Sequence, residues 1–380
     1  MHYRSRNAGT ENKSKRPMLI VLGIASVILA LIIILILTVG TGRRREATVT
    51  QLPCYANQDV TPFGVYVLFY DGASLHCLTN TGATRWSQTF GEGARYSVSD
   101  RSIVVWVNTK VYIIDYNGRI TYNDTLGETV QFARIGDRYC AAVIGPETSP
   151  TLVVRDLEGV QVDQEAAAFQ GMLLLDVGFY GDKGQYMWTT TLDVFGVAPN
   201  VMLNTFEVGN KNTGESALGE HIAYHLLYEN SKLRVVTTQF MRTFNYQGIE
   251  STNDLKLVYG WHIVDSFVPQ HGDALMIFAK SSNQTAPLDN SIAQIRLLTG
   301  SVDRRFTLPT TCVGAVIYNR SFYAFSKEFI YQASANSQRF TTYQFPIPGV
   351  APTAVLGLLE GGHAVVACGN SVYVVTLPNA

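Results

Sequence analysis

Beyond residue 45 the chain is a succession of short runs, four to eight residues long and rich in β-branched and aromatic side chains. Each run is closed by Gly, Asn, Asp or Ser. This is the strand-and-turn pattern of an all-β domain, and no long stretch carries a helical period. The runs recur in a fixed order. VYVLFYDGASLHCLTNTGATRWSQTF (65–90) reads strand, tight turn, strand, Thr-Gly, strand, and SIVVWVNTKVYIIDYNGRITYND (102–124) repeats it with Asn-Gly. YCAAVIGPETSPTLVVRDLEGVQVD (139–163) repeats it with a longer turn, and HAVVACGNSVYVVTLP (363–378) is the last copy. A further short run precedes each copy, as in YSVSD (96–100), VQFARIGD (130–137) and AVLGLLEGG (354–362).

Four strands per unit and eight units over residues 47–380 give a period of about 42 residues, the signature of propeller blades. The expectation is therefore an all-β fold, an eight-bladed β-propeller, with seven blades as the alternative count because the units at 172–262 are the least regular. One blade cannot bury both faces alone, so each needs a neighbour on either side. The last unit stops after its third strand, at Leu377, while EATVTQL (46–52) is an orphan run. That run is expected to pair with the C-terminal blade as its outer strand, closing the ring of a domain over 46–380 without an open sheet edge.

The segment Met18–Val39, MLIVLGIASVILALIIILILTV, has 22 residues and no charge. As a helix it would be about 33 Å long, enough to cross a bilayer, and it is apolar on every face. It reads as a transmembrane signal anchor in contact with the lipid bilayer; a signal cleaved near TVGTG (38–42) is the alternative. Residues 1–17 form a basic tail, with Arg4, Arg6, Lys13, Lys15 and Arg16 against Glu11, and residues 40–45 a juxtamembrane linker with Arg43, Arg44 and Arg45. Five basic residues against three favour a cytoplasmic N-terminus. The expected location is the cell membrane, single-pass, with the propeller extracytoplasmic.

Residues 47–380 hold 21 basic and 28 acidic residues, a net charge of −7. Nucleic-acid partners need a basic face, so none is expected. Cys54, Cys77, Cys140, Cys312 and Cys368 are too far apart in sequence for a Cys-x-x-Cys metal or redox motif and read as buried small hydrophobes, with a single long-range disulfide as the alternative.

LHCLTNTGATRW (75–86) resembles the repeat of pyrroloquinoline-quinone-type propellers, in which a strand precedes Thr-Gly, a short spacer and Trp. In that repeat the Gly makes the turn and the Trp docks between blades. YNGRITY (116–122) keeps Asn-Gly but has Tyr, and DLEGVQV (156–162) has no aromatic residue. The resemblance implies a quinoprotein-like fold across 47–380. With no adjacent Cys pair and no acidic metal cluster it implies no quinone, and no cofactor or metal is expected. The layout also resembles a family of bacterial, mainly Gram-positive, single-pass membrane proteins with an extracytoplasmic propeller and no assigned activity.

Chemistry leaves little trace. His221 and His225 would share a face of a strand about 13 Å apart, too far for one ion, and read as packing or surface histidines. Asp100, Asp137, Asp182 and Asp273 close innermost-strand turns; the alternative is an acidic funnel that attracts cations. Trp261, His262 and Asp265 in WHIVDSF are the candidate ligand contacts if that run lines the central channel. No Gly-x-Ser-x-Gly elbow, Walker loop or dinucleotide fingerprint occurs, and no catalytic residue is assigned. The reading is a non-catalytic platform for a protein, peptide or cell-envelope ligand, with turns 193–200, 208–220 and 281–291 as contact loops. The alternative is a small-ligand sensor or enzyme with its site in the channel, an enzyme being the less favoured.

Overall fold

The computed structural model describes residues 47–280 and 291–378. The expected tail, membrane segment and linker, and most of the 281–291 loop, lie outside the described residues. Among the described residues no helix is long and apolar enough to cross a membrane.

The described chain is all-β, with two single-turn 3-10 helices, Ala167–Phe169 and Thr252–Asp254. Its strands form antiparallel quartets in sequence order: 61–89, 95–125, 130–165, 173–219 and 223–257, then two that share a strand, and a last one over 354–376. The shared strand is Val302–Tyr318, 17 residues long. From Val302 to Thr307, and again at Cys312 opposite Ile292, it pairs with Ile292–Thr299 as the fourth strand of the sixth quartet. From Cys312 it pairs with Ser321–Ser326 as the first strand of the seventh. The last quartet takes its fourth strand, Val49–Tyr55, from the start of the described chain, with Val49 opposite Val375 and Gln51 opposite Tyr373. That strand lies three residues later than the run 46–52.

Packing follows from the strand patterns. Ser102–Val107 is buried at five successive positions and His363–Cys368 likewise, because middle strands have a sheet on each side. The buried apolar residues form eight clusters, each drawn from two successive quartets. Phe63, Leu68 and Leu75 of the first quartet meet Ile103, Val105 and Ile114 of the second. The last cluster joins Leu359, Val365 and Val374 of the final quartet to Val67, Phe69 and Leu78 of the first, so the succession closes on itself. The first strands of neighbouring quartets also touch one another around the centre, as Thr61–Phe63 does with Ala354–Leu359. This is a β-propeller.

A second, peripheral contact recurs. The turn between third and fourth strands holds a glycine at positive φ in Gly82, Gly118, Gly159 and Gly209. The residue four places on reaches the corresponding turn of the next quartet: Trp86 lies on Gly118 and Tyr122 on Gly159, each so close that a Cβ on the glycine would overlap the ring. Asp163 accepts the Gly209 N–H at 3.1 Å, and Thr213 donates to the carbonyl of Tyr246 at 2.9 Å. The five cysteines are all free and buried, so the alternative of a long-range disulfide is not realised.

Candidate functional site

The first strands surround the centre, and six of them, in the third to eighth quartets, carry a β-bulge near their start, as between Ala223 and His225 and between Ile263 and Asp265. An extra residue reverses which face the following side chains take. The bulge at Val264 on the strand Trp261–Phe267 thereby takes Asp265 off the face of Trp261, which strict alternation would have given it. Trp261 packs with Leu227, Val236 and Met241 of the fifth quartet and has the Arg305 guanidinium 5.7 Å from its ring. His262 is exposed, though desolvation lowers its pKa. Asp265 turns to the seventh quartet, where Oδ2 accepts the Ile317 N–H at 2.7 Å while Oδ1 accepts that of Ser266 at 2.8 Å. Burial pushes its carboxyl up to about 6 against the pull of these two bonds. The three side chains do not converge on a common space, and both oxygens of the acid are engaged, one across strands to Ile317 and one with its own neighbour Ser266.

The other titratable candidates are likewise dispersed. His225 bonds to Ser266 Oγ across quartets at 3.0 Å, and burial lowers its pKa; His221 packs edge-on against Phe240. Asp137 and Asp182 stand beside Arg138 and Lys183 in their turns, and Asp273 lies within 3.5 Å of Asn230. Among the described residues no three His, Cys, Asp or Glu side chains come together as a metal site.

The two ends of the propeller differ more than its channel suggests. In an antiparallel quartet, the first–second and third–fourth turns lie at one end. The second–third turn and the crossover to the next quartet lie at the other. Backbone bonds confirm the grouping: Gly145 N–H to Thr129 O at 3.0 Å and Phe345 N–H to Glu328 O at 2.7 Å tie second–third turns to crossovers. Thr48 and Thr376 are joined by backbone and hydroxyl bonds of 2.9 and 2.8 Å at the opposite end, called proximal for the start of the described chain there.

Exposed apolar side chains stand at both ends: Val65, Val160, Tyr246, Ile249, Phe267 and Val268 at proximal turns, and a second group at the distal end. Phe195 (68% exposed) and Val197 lie on the turn between Tyr186–Asp193 and Asn200–Glu207. Ile222 lies on the crossover to the fifth quartet, and Leu257 and Tyr259 (71% exposed) border the crossover to the sixth. The contact loop expected at 193–200 is among these. That expected at 208–220 is corrected: Lys211–Gly219 is a strand paired with Asn200–Glu207, leaving a tight turn at 208–210, and its polar composition reflects an exposed outer edge. The distal turns and crossovers among the described residues also carry exposed Asp59, Glu92, Glu128, Glu147, Glu220 and Glu328, and Asp71 held by His76, against Lys327 and the strand-end residues Arg95, Lys110 and Lys280. A cavity of about 440 Å³ opens between the Lys327–Glu328 turn and the crossover 345–351, floored by Phe329, Phe345, Ile347 and Val350. Neither cavity nor carboxylates were found by motif reasoning; sorting turns by end would have exposed the charge bias.

No protein-family model matches the sequence, and no curated protein matches it. Solved structures do. BamB from Moraxella catarrhalis aligns with a TM-score of 0.52 at 10% identity, over 88% of this chain and 99% of that one. The Dos1 propeller also aligns at 0.52 and 10% identity, over 85% and 96%. At such identity the likeness concerns the fold, and this chain shares the β-propeller fold of both.

Proposed function

We propose that the protein is a membrane-tethered, non-catalytic platform that binds a protein partner at the distal end of an eight-bladed propeller. The observation that carries this reading is the exposed apolar group Phe195, Val197, Ile222, Leu257 and Tyr259, gathered on the fourth and fifth quartets and the crossovers that follow them, at the end away from Thr48. Contiguous exposed apolar surface on a soluble domain marks an interaction site, and aromatic side chains supply most of the energy of such contacts. The count of eight rests on the double pairing of Val302–Tyr318 and on eight inter-quartet clusters. The tether rests on the uncharged run at 18–39, which also supports a bilayer contact and, with five basic residues before it, an extracytoplasmic propeller. The two similar propellers support the fold on which this rests.

A sensor or enzyme in the channel is the weaker reading, because Trp261, His262 and Asp265 diverge and Asp265 already holds two N–H groups. The test is co-purification of the full chain from membranes in mild detergent, wild type against Phe195→Ser/Tyr259→Ser. A partner recovered at constant stoichiometry with wild type and lost with the variant supports the platform. Equal recovery with both refutes this sector as its site.

A further inference from the structure

The distal end has a second chemical character, set by charge. Apart from Asp71, its carboxylates are exposed, and among the described residues none of Asp59, Glu92, Glu128, Glu147, Glu220 or Glu328 takes part in an ion pair. Glu328, Asp59, Glu92, Glu128 and Glu147 follow one another from the seventh quartet through the last and first to the third. They make an arc that starts at the mouth of the 440 Å³ cavity. Arg95 and Lys110 stand within this arc without cancelling its charge, whereas at the proximal turns Arg101, Arg119, Arg138, Lys183 and Arg320 are interspersed more evenly with the acids.

We infer that the distal end docks a cationic stretch of a partner polypeptide, whose lysines or arginines lie along this arc and one of whose apolar side chains fills the cavity between the seventh and last quartets. This rests on the platform reading and gives the partner its chemistry. A like-charged field of this extent repels phosphate-bearing partners and speeds the encounter with cationic ones. The carboxylates stand on separate quartets and do not gather three to an ion, so they suit charges spaced along a chain rather than one bound metal. The cavity is of ligand size and its floor is apolar, with Glu328 and Lys327 at the rim, so it suits an apolar side chain flanked by a cation.

The test uses the full chain in mild detergent. The probe is a fluorescein-labelled peptide of alternating lysine and arginine with one central leucine. Its counterparts carry serine for the leucine, or glutamate for the basic residues. Anisotropy should show binding of the leucine peptide, weaker binding of the serine peptide and none of the acidic one. Glu92→Lys/Glu128→Lys should weaken the leucine peptide about tenfold, and about 0.5 M salt should erase most of that difference. Val350→Trp, or Ile347→Trp should the first variant misfold, narrows the cavity and should abolish the preference for leucine over serine while leaving the charge dependence. Binding that ignores the charge reversals, equal binding of the acidic peptide, or a calcium-dependent melting shift with no peptide binding would each overturn the inference. If the peptide fails to bind while a partner dependent on Phe195 and Tyr259 is still recovered, the inference fails and the platform reading stands.

Discussion

Asp265→Asn isolates the cost of holding a carboxylate between two strands at the centre of the propeller. In the wild type both carboxylate oxygens accept backbone N–H groups, yet burial outweighs them and raises the pKa from 3.8 to about 6. A carboxyl whose folded pKa exceeds its unfolded value binds its proton more readily when folded. The wild type is therefore favoured below about pH 4 and loses that stability as pH rises through about 6, after which the loss is complete. A rise of this size corresponds to roughly 3 kcal/mol. Asparagine carries no charge but keeps one acceptor oxygen, so one N–H loses its partner at a cost of about 1 kcal/mol. Protonated Asp265 has the same deficit, so the two proteins should coincide below about pH 3, differ by about 1 kcal/mol near pH 4.5, and near pH 7.5 the variant should be more stable by about 3 kcal/mol. His225 and His262, whose pKa values burial lowers, contribute the opposite slope, with stability lost as pH falls. They are common to both proteins and cancel in the difference. Denaturant unfolding followed by the fluorescence of Trp86, Trp106, Trp188 and Trp261 reads this directly. Parallel stability profiles for the two proteins between pH 4.5 and 7.5 would refute the reasoning.

Gly118→Ala should destabilise by about 2–3 kcal/mol and shift Trp86 emission, since the residue lies at φ +83° and its new methyl would overlap that ring; thermal melting and fluorescence check it. Glu229→Ala should cost about 3–5 kcal/mol in denaturant unfolding, because buried Glu229 accepts from both Arg234 and the Ala274 N–H of the next quartet. Thiol titration should find none of the five cysteines reactive in the folded chain and all five after unfolding. Burial raises the Cys54 and Cys368 thiols to about 11 and those of Cys77, Cys140 and Cys312 to about 12.

The all-β propeller was legible because alternating and fully apolar runs report strand burial locally, and their period reports the stacking. The turn glycine with its partner four residues on was legible only at Trp86. Tyr122 keeps the same contact with a smaller ring, and Asp163 keeps it through a hydrogen bond, so geometry persists where residue type does not. The unbroken strand Val302–Tyr318 was less legible: RRFTLP and VGAVIYN read as runs of separate units, and nothing between them signals that the backbone stays extended from one quartet to the next. The bulge at Val264 could not be read from WHIVDSF, because an extra residue leaves composition unchanged while reversing which face Asp265 takes. The distal cavity was equally hidden. Its walls come from two crossings of the chain, and neither PIPGV nor the Lys327–Glu328 turn signals the other.

Site-specific photocross-linking of the full chain, expressed in its native cells, bears on the proposed docking face most directly. A photoreactive residue at Phe195 or Tyr259 should yield one adduct of the same mass, while the same residue at Arg138 or Lys183 should yield none. An adduct formed from the proximal positions and absent from the distal ones would contradict the account.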